Sequence, residues 1–365
     1  MRIESVESLV RDNIVVVRVR TDDGVVGIGQ SAPYQAETTA HVLHAVVARF
    51  FLGRDPWDVE ALVDGCLRET YKFPSSFILR ALAGVDTACW DILGKSAGVP
   101  VYKLLGGQAR PRVPVYASSM LRSTSPAQEA DRLAALVQEH GFGGVKIRVG
   151  DAMGRDTDAA PGRTEELVPL MRQVLGPDVA ISADANGGYS PGRAVQVGRL
   201  LEEHGYFHFE EPVPFGDVEQ LVRVTAALDI PVSGGEQDTL LPQFHRLLTT
   251  GAVDIIQPDI GYLGGVSRAR KVAVLAEAVG LPCTPHCAND SLLQVFSLHL
   301  AAAAPACFQR QEWSIEDTPW TRHLYGPMPQ VHDGQVALPT EPGWGIELHP
   351  EFLRDATVTT SGGPG

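Results

Sequence analysis

The sequence predicts an α/β protein in which an α+β lobe precedes a parallel-stranded (β/α) barrel of the triosephosphate isomerase type. From residue 113 onward, eight short apolar segments alternate with segments of helical periodicity, as consecutive βα units do. Charged or polar residues end seven of these segments at intervals of 36, 26, 26, 23, 27 and 26 residues, each about the length of one βα unit. A barrel collects such side chains at one mouth, whereas a sandwich or an open sheet would not bring all seven together.

Residues 1–112 are predicted to form the α+β lobe. Residues 14–30 show β-branched alternation on both sides of a turn signal at 22–24, which predicts an antiparallel hairpin. Three segments of helical periodicity follow, at 36–50, 56–69 and 75–98.

The barrel itself is predicted over residues 113–324. Its eight strands are expected at 113–119, 144–149, 179–184, 206–210, 231–236, 253–259, 281–286 and 306–312. The segment 325–365 is rich in proline and glycine, and we expect it to return to the first lobe and to end in a disordered tail at 361–365.

Charge and composition narrow the class of partner. A formal net charge of −14 argues against nucleic acid or an anionic membrane surface, since both require a basic footprint. The N-terminus lacks the features of a secretory signal, and no apolar run approaches the ~18 residues that span a bilayer, so we expect a cytoplasmic protein. Five scattered cysteines without a CxxC motif predict reduced thiols.

Three carboxylates end consecutive predicted strands: Asp184, Glu210 and Glu236. On adjacent barrel strands they would lie within a few ångströms of one another, and they could not all stay ionised without a cation between them. Any one of them alone could be a solvated strand end, but three in register predict a site for a hard divalent cation, most simply Mg²⁺. Glu211 is expected to point away from this site because neighbouring residues of a strand face opposite sides.

Zinc is the weaker alternative. Cys283, His286 and Cys287 form a C-x-x-H-C pattern that lacks a second ligand pair.

Two further pairs of polar residues are expected at the same mouth. Asp259 and His286 end the sixth and seventh predicted strands, where a carboxylate can orient an imidazole as a general base; a structural histidine is the alternative. Lys146 and Arg148 lie two residues apart on the second strand and therefore share its inner face. Two inward cations favour an anionic ligand over an interior ion pair.

At this point the pattern resembles the enolase superfamily, specifically its mandelate racemase subgroup. The resemblance covers nearly the whole chain and includes the helical motif at 84–107, the carboxylate trio, the Asp259–His286 pair, Glu312 and the motif PGWGIEL at 342–348. It implies a modified (β/α)7β barrel, one Mg²⁺ per subunit and a small-molecule carboxylate substrate. It further implies that Lys146 adds positive charge, that Glu312 hydrogen-bonds a carboxylate oxygen and that His286 removes the α-proton.

The sequence departs from this family pattern at Arg148. Many relatives carry a lysine there that acts as a base on the opposite face, whereas arginine, with a pKa above ~12, is a poor base. One-base chemistry on the His286 face followed by loss of a β-hydroxyl is therefore expected, which is dehydration of a sugar acid to a 2-keto-3-deoxy acid. Arg148 would then bind substrate or assist the leaving group.

Another contact with the substrate is expected from Asn186, two residues after Asp184. Asn186 could equally be a structural amide. The resemblance also implies that residues 1–112 form a capping domain whose loops, here at 24–35 and 71–75, close over the barrel mouth and select the substrate. Tyr34, Lys72 and Phe73 are the capping-loop candidates, although such residues also serve in packing.

Alternative activities remain open from the sequence. An epimerase, racemase or sugar-acid lactone cycloisomerase would use the same enolisation step, and a non-catalytic metal-binding relative is the remote alternative. A metal-dependent aldolase would leave Asp259 and His286 without a role. By resemblance, we expect a homo-oligomer between a dimer and an octamer.

Overall fold

The computed structural model describes residues 1–73 and 76–363. Pro74 and Ser75, which belong to the predicted capping loop at 71–75, lie outside the described residues, as do Pro364 and Gly365 of the predicted tail.

The capping domain is built on a four-stranded antiparallel sheet. The predicted hairpin is present as β2 (Ile14–Thr21) and β3 (Val26–Gln30), and its turn is closed by a hydrogen bond from Gly24 N–H to Thr21 O. Two strands that the sequence analysis missed complete the sheet, β1 (Ile3–Arg11) and β15 (Thr357–Gly362), in the order β15-β1-β2-β3. The predicted disorder is therefore wrong for residues 361 and 362, because the backbone there pairs with β1.

The capping domain contains four helices: α1 (Ala36–Val42), α2 (Val59–Glu69), α3 (Ser76–Ala97) and α4 (Val101–Leu104). Helices α1 and α3 pack on the sheet, and α2 and α4 pack against α3. Helix α1 continues through a π-helical turn over Leu43–Val47. Helix α3 lies unusually close to β3, since a Cβ placed on Gly29 would come within 2.1 Å of Gly84 O. Glycine is thus required at position 29 for the sheet and the helix to meet.

The second part of the chain forms a barrel of parallel strands. Its paired strands are β4 (Arg112–Ser118), β5 (Gly144–Arg148), β6 (Ala180–Asp184), β7 (His208–Glu210), β8 (Val232–Gly234), β9 (Ile255–Ile256) and β10 (Gln311–Ser314). The connecting helices are α5 (Pro126–His140), α6 (Arg163–Leu175), α7 (Pro191–Glu203), α8 (Val218–Ala227), α9 (Leu241–Thr249), α10 (Ile260–Leu263), α11 (Val266–Ala278) and α12 (Leu292–Ala303). Strand β10 pairs with β4 and closes the ring, which confirms the predicted barrel.

The seventh strand position differs from a regular strand. Residues 281–286 make only single bridges to the preceding strand region, Ile256↔Cys283 and Asp259↔His286. Pro282 and Pro285 interrupt this segment, and proline has no N–H to donate to a ladder. The eighth strand also starts later than predicted, at Gln311, because a turn from Ala304 to Cys307 follows α12.

Strand register places the polar residues side by side. Arg148 is the ladder partner of Asp184, and Asp184 is the ladder partner of Glu210. The neighbouring strands β5, β6 and β7 therefore end at one level, β5 with a cation and β6 and β7 each with a carboxylate.

The returning segment contains β11 (Tyr325–Gly326), β12 (Val331–His332), β13 (Gln335–Ala337), β14 (Glu347–Leu348), α13 (Pro350–Asp355) and β15. Trp344 of the PGWGIEL motif is fully buried; its backbone N–H donates to Asp91 Oδ1 and its indole N–H to Thr87 O, both on α3. The motif thus fastens this segment to the capping domain. The division of the chain after residues 112 and 324 stays a prediction.

Candidate active site

Three buried carboxylates converge at the C-terminal mouth of the barrel. One ligand atom of each of Asp184, Glu210 and Glu236 lies within 4.8 Å of those of the other two. Asp184 and Glu210 end their strands, and Glu236 follows β8 by two residues. The structure therefore brings together the three residues that the sequence singled out as metal ligands.

The carboxylates have the properties of a site for a hard divalent cation. Glu236 Oε2 is buried and accepts no hydrogen bond from any residue that the structure describes. Burial, reinforced by the charge of Glu210, raises the pKa of Glu236 above its ordinary value. An all-oxygen set of three carboxylates suits Mg²⁺, because a cation among them would offset the repulsion between their negative charges.

Lys146 lies in the barrel interior beside these carboxylates. Its ammonium is 2.6 Å from Glu210 Oε1, 2.7 Å from Glu312 Oε1 and 3.5 Å from Asp184 Oδ2. Burial alone would lower the pKa of Lys146, but the charges of Glu210 and Glu312 outweigh it and raise that pKa. Lys146 is therefore a fixed cation within the site.

Glu312 is held by several donors. Its oxygens accept from Ser118 Oγ at 2.7 Å and from Cys287 N–H at 2.8 Å, in addition to Lys146. Burial opposes ionisation, but the charges of Lys146 and His286 lower the pKa of Glu312 to about 2. A hydrogen bond from Glu312 to a substrate oxygen would need a protonated carboxyl, so this role stays a prediction.

Asp259 and His286 form the expected pair. His286 Nδ1 lies 2.7 Å from Asp259 Oδ2, while Nε2 faces Glu236 Oε2 at 3.3 Å and Glu312 Oε2 at 3.9 Å. Burial lowers the pKa of His286, but the carboxylate charges around it raise that pKa to about 10. The imidazole thus has one nitrogen fixed by Asp259 and the other directed at the carboxylate trio.

Arg148 is buried and almost fully engaged by the protein. Its Nε donates to Ser119 O at 2.9 Å, and its Nη1 donates to Asp184 Oδ2 and, at 2.9 Å, to Asn186 Oδ1. A guanidinium held by these acceptors is a fixed cation beside a carboxylate of the trio.

Asn186 lies in the same network. Its backbone N–H donates to Asp184 Oδ1 at 2.8 Å, and its side-chain oxygen accepts from both Arg148 and Arg122. The amide oxygen is thus occupied by protein donors, which supports the structural interpretation of Asn186 over the substrate contact.

Sequence reasoning missed two residues near this network. Arg122 follows β4 and donates to Asn186 Oδ1 at 2.8 Å, and no periodic pattern marks it. Glu211 was expected to point away, but this is wrong: its φ of 41° breaks the strand alternation, and it is buried against the site. Burial, with the charges of Glu236 and Glu210, raises the pKa of Glu211 well above its ordinary value.

The capping-domain candidates lie in different surroundings. Tyr34 has a left-handed backbone (φ 68°) and is half exposed, with its ring 6.1 Å from that of Trp320. Lys72 and Phe73 are exposed, and the Lys72 ammonium lies over the ring of Tyr71. The described contacts of these three residues include none with the carboxylate trio.

An arginine of the capping domain comes closer to the Asp259–His286 pair. Arg80 lies on α3 with its guanidinium 3.9 Å from the ring centroid of Tyr262, and Tyr262 in turn lies 6.2 Å from the ring of His286. Neither residue has a sequence pattern that would have indicated this position.

The zinc alternative finds no support in the part of the chain that the structure describes. All five cysteines are buried and free, and burial raises the pKa of Cys287. The ligand clusters among the described residues contain histidine and carboxylates but no cysteine. In the same residues, no helix combines the length and apolarity needed to cross a membrane.

Comparison with known proteins identifies the family. A model of the mandelate racemase / muconate lactonizing enzyme N-terminal domain matches residues 3–106, and a model described as enolase C-terminal domain-like matches residues 128–352. The fold is thus that of the enolase superfamily. The chain belongs to its mandelate racemase / muconate lactonizing enzyme family.

Relatives of this chain include dehydratases and a cycloisomerase. Arabinonate dehydratase of Saccharolobus solfataricus is 31% identical, with 92% of this chain and 88% of that protein covered. D-galactarolactone cycloisomerase of Agrobacterium fabrum is 30% identical, with 93% and 90% covered.

Among solved structures, a mandelate racemase/muconate lactonizing protein of Paracoccus denitrificans complexed with magnesium has a TM-score of 0.91 and 33% identity, with 99% of this chain and 98% of that chain covered. A provisionally named racemase of Roseobacter denitrificans has a TM-score of 0.96 and 45% identity, with 99% and 100% covered.

Proposed function

We propose that this protein is a Mg²⁺-dependent lyase that removes the proton α to a carboxylate of a sugar acid and eliminates water to give a 2-keto-3-deoxy acid. The observation that carries the proposal is the asymmetry of the site. His286 is oriented as a base, whereas the residue on the second strand is an arginine held by Ser119 and Asp184.

The proposed base step uses the two nitrogens of His286 differently. The hydrogen bond between Nδ1 and Asp259 fixes the tautomer in which Nε2 is the acceptor, and Nε2 faces the site. Nε2 would take the α-proton, and the electron pair left on carbon would delocalise into the carboxylate as an enediolate. Lys146 provides buried positive charge for this species, where a low dielectric makes charge stabilisation effective.

Asp184, Glu210 and Glu236 are the residues that would hold Mg²⁺. The cation would act as a Lewis acid toward the substrate carboxylate and would offset the carboxylate charges that raise the pKa of His286. The support is the oxygen-only donor set, the buried Glu236 Oε2 that accepts no hydrogen bond from the described residues, and the magnesium complex of the Paracoccus relative.

Loss of the β-hydroxyl distinguishes the proposed reaction from epimerisation. Inversion at the α-carbon needs a second proton donor on the opposite face, and Arg148 is a poor acid–base group there. Instead, the electron pair of the enediolate expels the β-hydroxyl, which takes up a proton and leaves as water. The enol that remains then becomes the keto acid. His286, once protonated, could return its proton to the departing hydroxyl.

Lactone cycloisomerisation is the second candidate, because a relative covered over 90% of its length is a D-galactarolactone cycloisomerase. It would use the same base and the same enolisation but would release a ring oxygen that stays attached to the product.

The deciding experiment is Mg²⁺-dependent turnover of a library of mono- and dicarboxylic sugar acids and their lactones in D₂O, followed by NMR. Keto-deoxy product from one acid supports the dehydratase. Product from a lactone alone, or α-deuterium without keto product, would replace dehydration by cycloisomerisation or epimerisation. His286→Asn is the matched inactive control, and chelation of divalent cations should abolish every signal.

A homo-oligomer between dimer and octamer and a cytoplasmic location belong to the same proposal. Sedimentation velocity of the full chain tests the first, and cell fractionation tests the second.

A further inference from the structure

Two histidines and a glutamate form a second cluster outside the barrel mouth. One ligand atom of each of His323, His349 and Glu351 lies within 4.8 Å of those of the other two. His323 lies in the connection that leaves the barrel, and the other two lie at the start of α13 in the returning segment. We propose that these three side chains bind a zinc-type transition-metal ion on the surface of the protein.

The donor types fit such an ion. Two imidazoles and one carboxylate form a known three-ligand zinc set, with the fourth position left to water. The proposed magnesium site differs in kind, since it offers oxygen donors alone, and imidazole favours Zn²⁺ over Mg²⁺. The two sites would therefore select different ions.

The distances already approach those around a tetrahedral ion. Zn–N and Zn–O bonds of about 2.0–2.1 Å place neighbouring ligand atoms roughly 3.4 Å apart and imidazole centroids roughly 5 Å apart. His323 Nδ1 lies 3.6 Å from Glu351 Oε2, and the centroids of His323 and His349 are 5.4 Å apart. Small side-chain rotations would thus complete the site.

The backbone fixes the two parts of the cluster relative to each other. His349 N–H donates to Leu324 O at 2.9 Å, and the next residues pair as Tyr325↔Leu348 in the β11–β14 ladder. His323 is therefore adjacent to a paired strand rather than in a free loop. Its backbone is left-handed, with a φ of 53°, a conformation that few non-glycine residues adopt.

One existing contact would change on binding. His349 Nδ1 accepts a long hydrogen bond of 3.4 Å from Glu351 N–H. Ligation through Nε2 would place a proton on Nδ1 and end this bond, which at that length is weak. His323 and Glu351 are both partly exposed, at 59% and 42% of their side chains, so an ion could reach them directly.

The proposed site would fasten the end of the barrel to the segment that continues through α13 into β15 of the capping sheet. Metal binding would then raise the thermal stability of the whole chain, because the folded protein alone holds the three ligands together. This inference does not depend on the proposed enzymatic function.

The test is titration of the full chain with Co²⁺ in the presence of saturating Mg²⁺. A tetrahedral site containing imidazole gives strong visible absorption, whereas six oxygen ligands give weak absorption. We expect one strongly absorbing Co²⁺ per chain, displaced by Zn²⁺, with affinity lowered at least about 10-fold in His323→Asn and in His349→Asn.

Two control variants separate this site from other binding. His332→Asn, which changes an exposed histidine outside the cluster, should leave the titration unchanged. Glu236→Gln, which removes a ligand of the proposed magnesium site, should also keep the strong absorption. A titration without strong absorption, or one that His323→Asn and His349→Asn leave unchanged while circular dichroism shows them folded, would overturn the proposal.

Discussion

Asp259→Asn is the most informative change to the proposed base. Asp259 serves two donors at once, because Oδ2 accepts from His286 Nδ1 at 2.7 Å and Oδ1 accepts from Tyr262 N–H at 2.9 Å. Asparagine has one oxygen and one NH₂ group, so it can satisfy only one of these donors. If the amide oxygen keeps Tyr262, the NH₂ group faces His286 Nδ1 and forces the proton onto Nε2.

The expected magnitude follows from the loss of general-base catalysis. With Nε2 protonated, His286 cannot accept the α-proton, and such catalysis is worth about 10²- to 10⁴-fold in rate, or roughly 3–5 kcal/mol. We expect kcat to fall by this factor with a small change in KM, since Asp259 is not expected to touch the substrate. Initial rates and α-deuterium exchange on the acid identified by the library screen measure the effect.

Asp254→Asn is the matched control for this change. Asp254 precedes β9, whereas Asp259 follows it, and the Asp254 side chain accepts from Val232 N–H at 2.9 Å, a bond that an asparagine oxygen can keep. Its kcat should stay within about 3-fold of the original, because surface and rim changes away from the reacting atoms cost little. A kcat for Asp259→Asn within about 10-fold of the original would refute the role of Asp259 in setting the His286 tautomer.

Two stability predictions concern the capping domain. Gly29→Ala should lower the free energy of unfolding by about 1–3 kcal/mol or more, since its Cβ would lie 2.1 Å from Gly84 O. The control Gly65→Ala, in an open helical position, should raise it by about 0.5–1 kcal/mol; equal effects in urea titrations would contradict the close approach of sheet and helix. Burial raises the pKa of Asp86 from 3.8 to about 7, so the folded state binds this proton more tightly and the resulting stability is lost as pH rises from 4 through 7. Relative to the original protein, the free energy of unfolding of Asp86→Asn should rise by up to roughly 4 kcal/mol as the pH increases across that range, measured by urea unfolding. Parallel pH profiles of the two proteins would contradict this.

The spacing of the sequence was sufficient to predict the barrel and the convergence of the carboxylates. Parallel strands in register carry their terminal residues to one level, so Asp184 and Glu210 become ladder partners without any further information. The hairpin was equally predictable, because its turn residues and β-branched alternation are local signals.

Features set by long-range pairing or local backbone could not be predicted in this way. Strand β15 acquires its conformation from β1, more than 340 residues away in the chain, and Ser361 and Gly362 have no strand signal of their own. Glu211 left the expected alternation because its positive φ turns the chain after β7. Arg122 reaches Asn186 from a loop, and loop geometry has no sequence period.

The charges at the barrel mouth predict that Mg²⁺ binds before the acid substrate. The buried acidic residues there are Asp184, Glu210, Glu211, Glu236, Asp259 and Glu312, and the buried basic residues are Lys146, Arg148 and His286. Six acidic residues against three basic ones leave an acidic excess that would repel an acid substrate, and at an effective dielectric of about 20 one unit charge at 4 Å is worth about 4 kcal/mol. A divalent cation offsets most of this negative charge, so calorimetry should detect binding of the acid with Mg²⁺ and at least about 10²-fold weaker binding after chelation. Equal affinity in both conditions would mean that the basic side chains alone neutralise the substrate, and that the carboxylate trio does not control its entry.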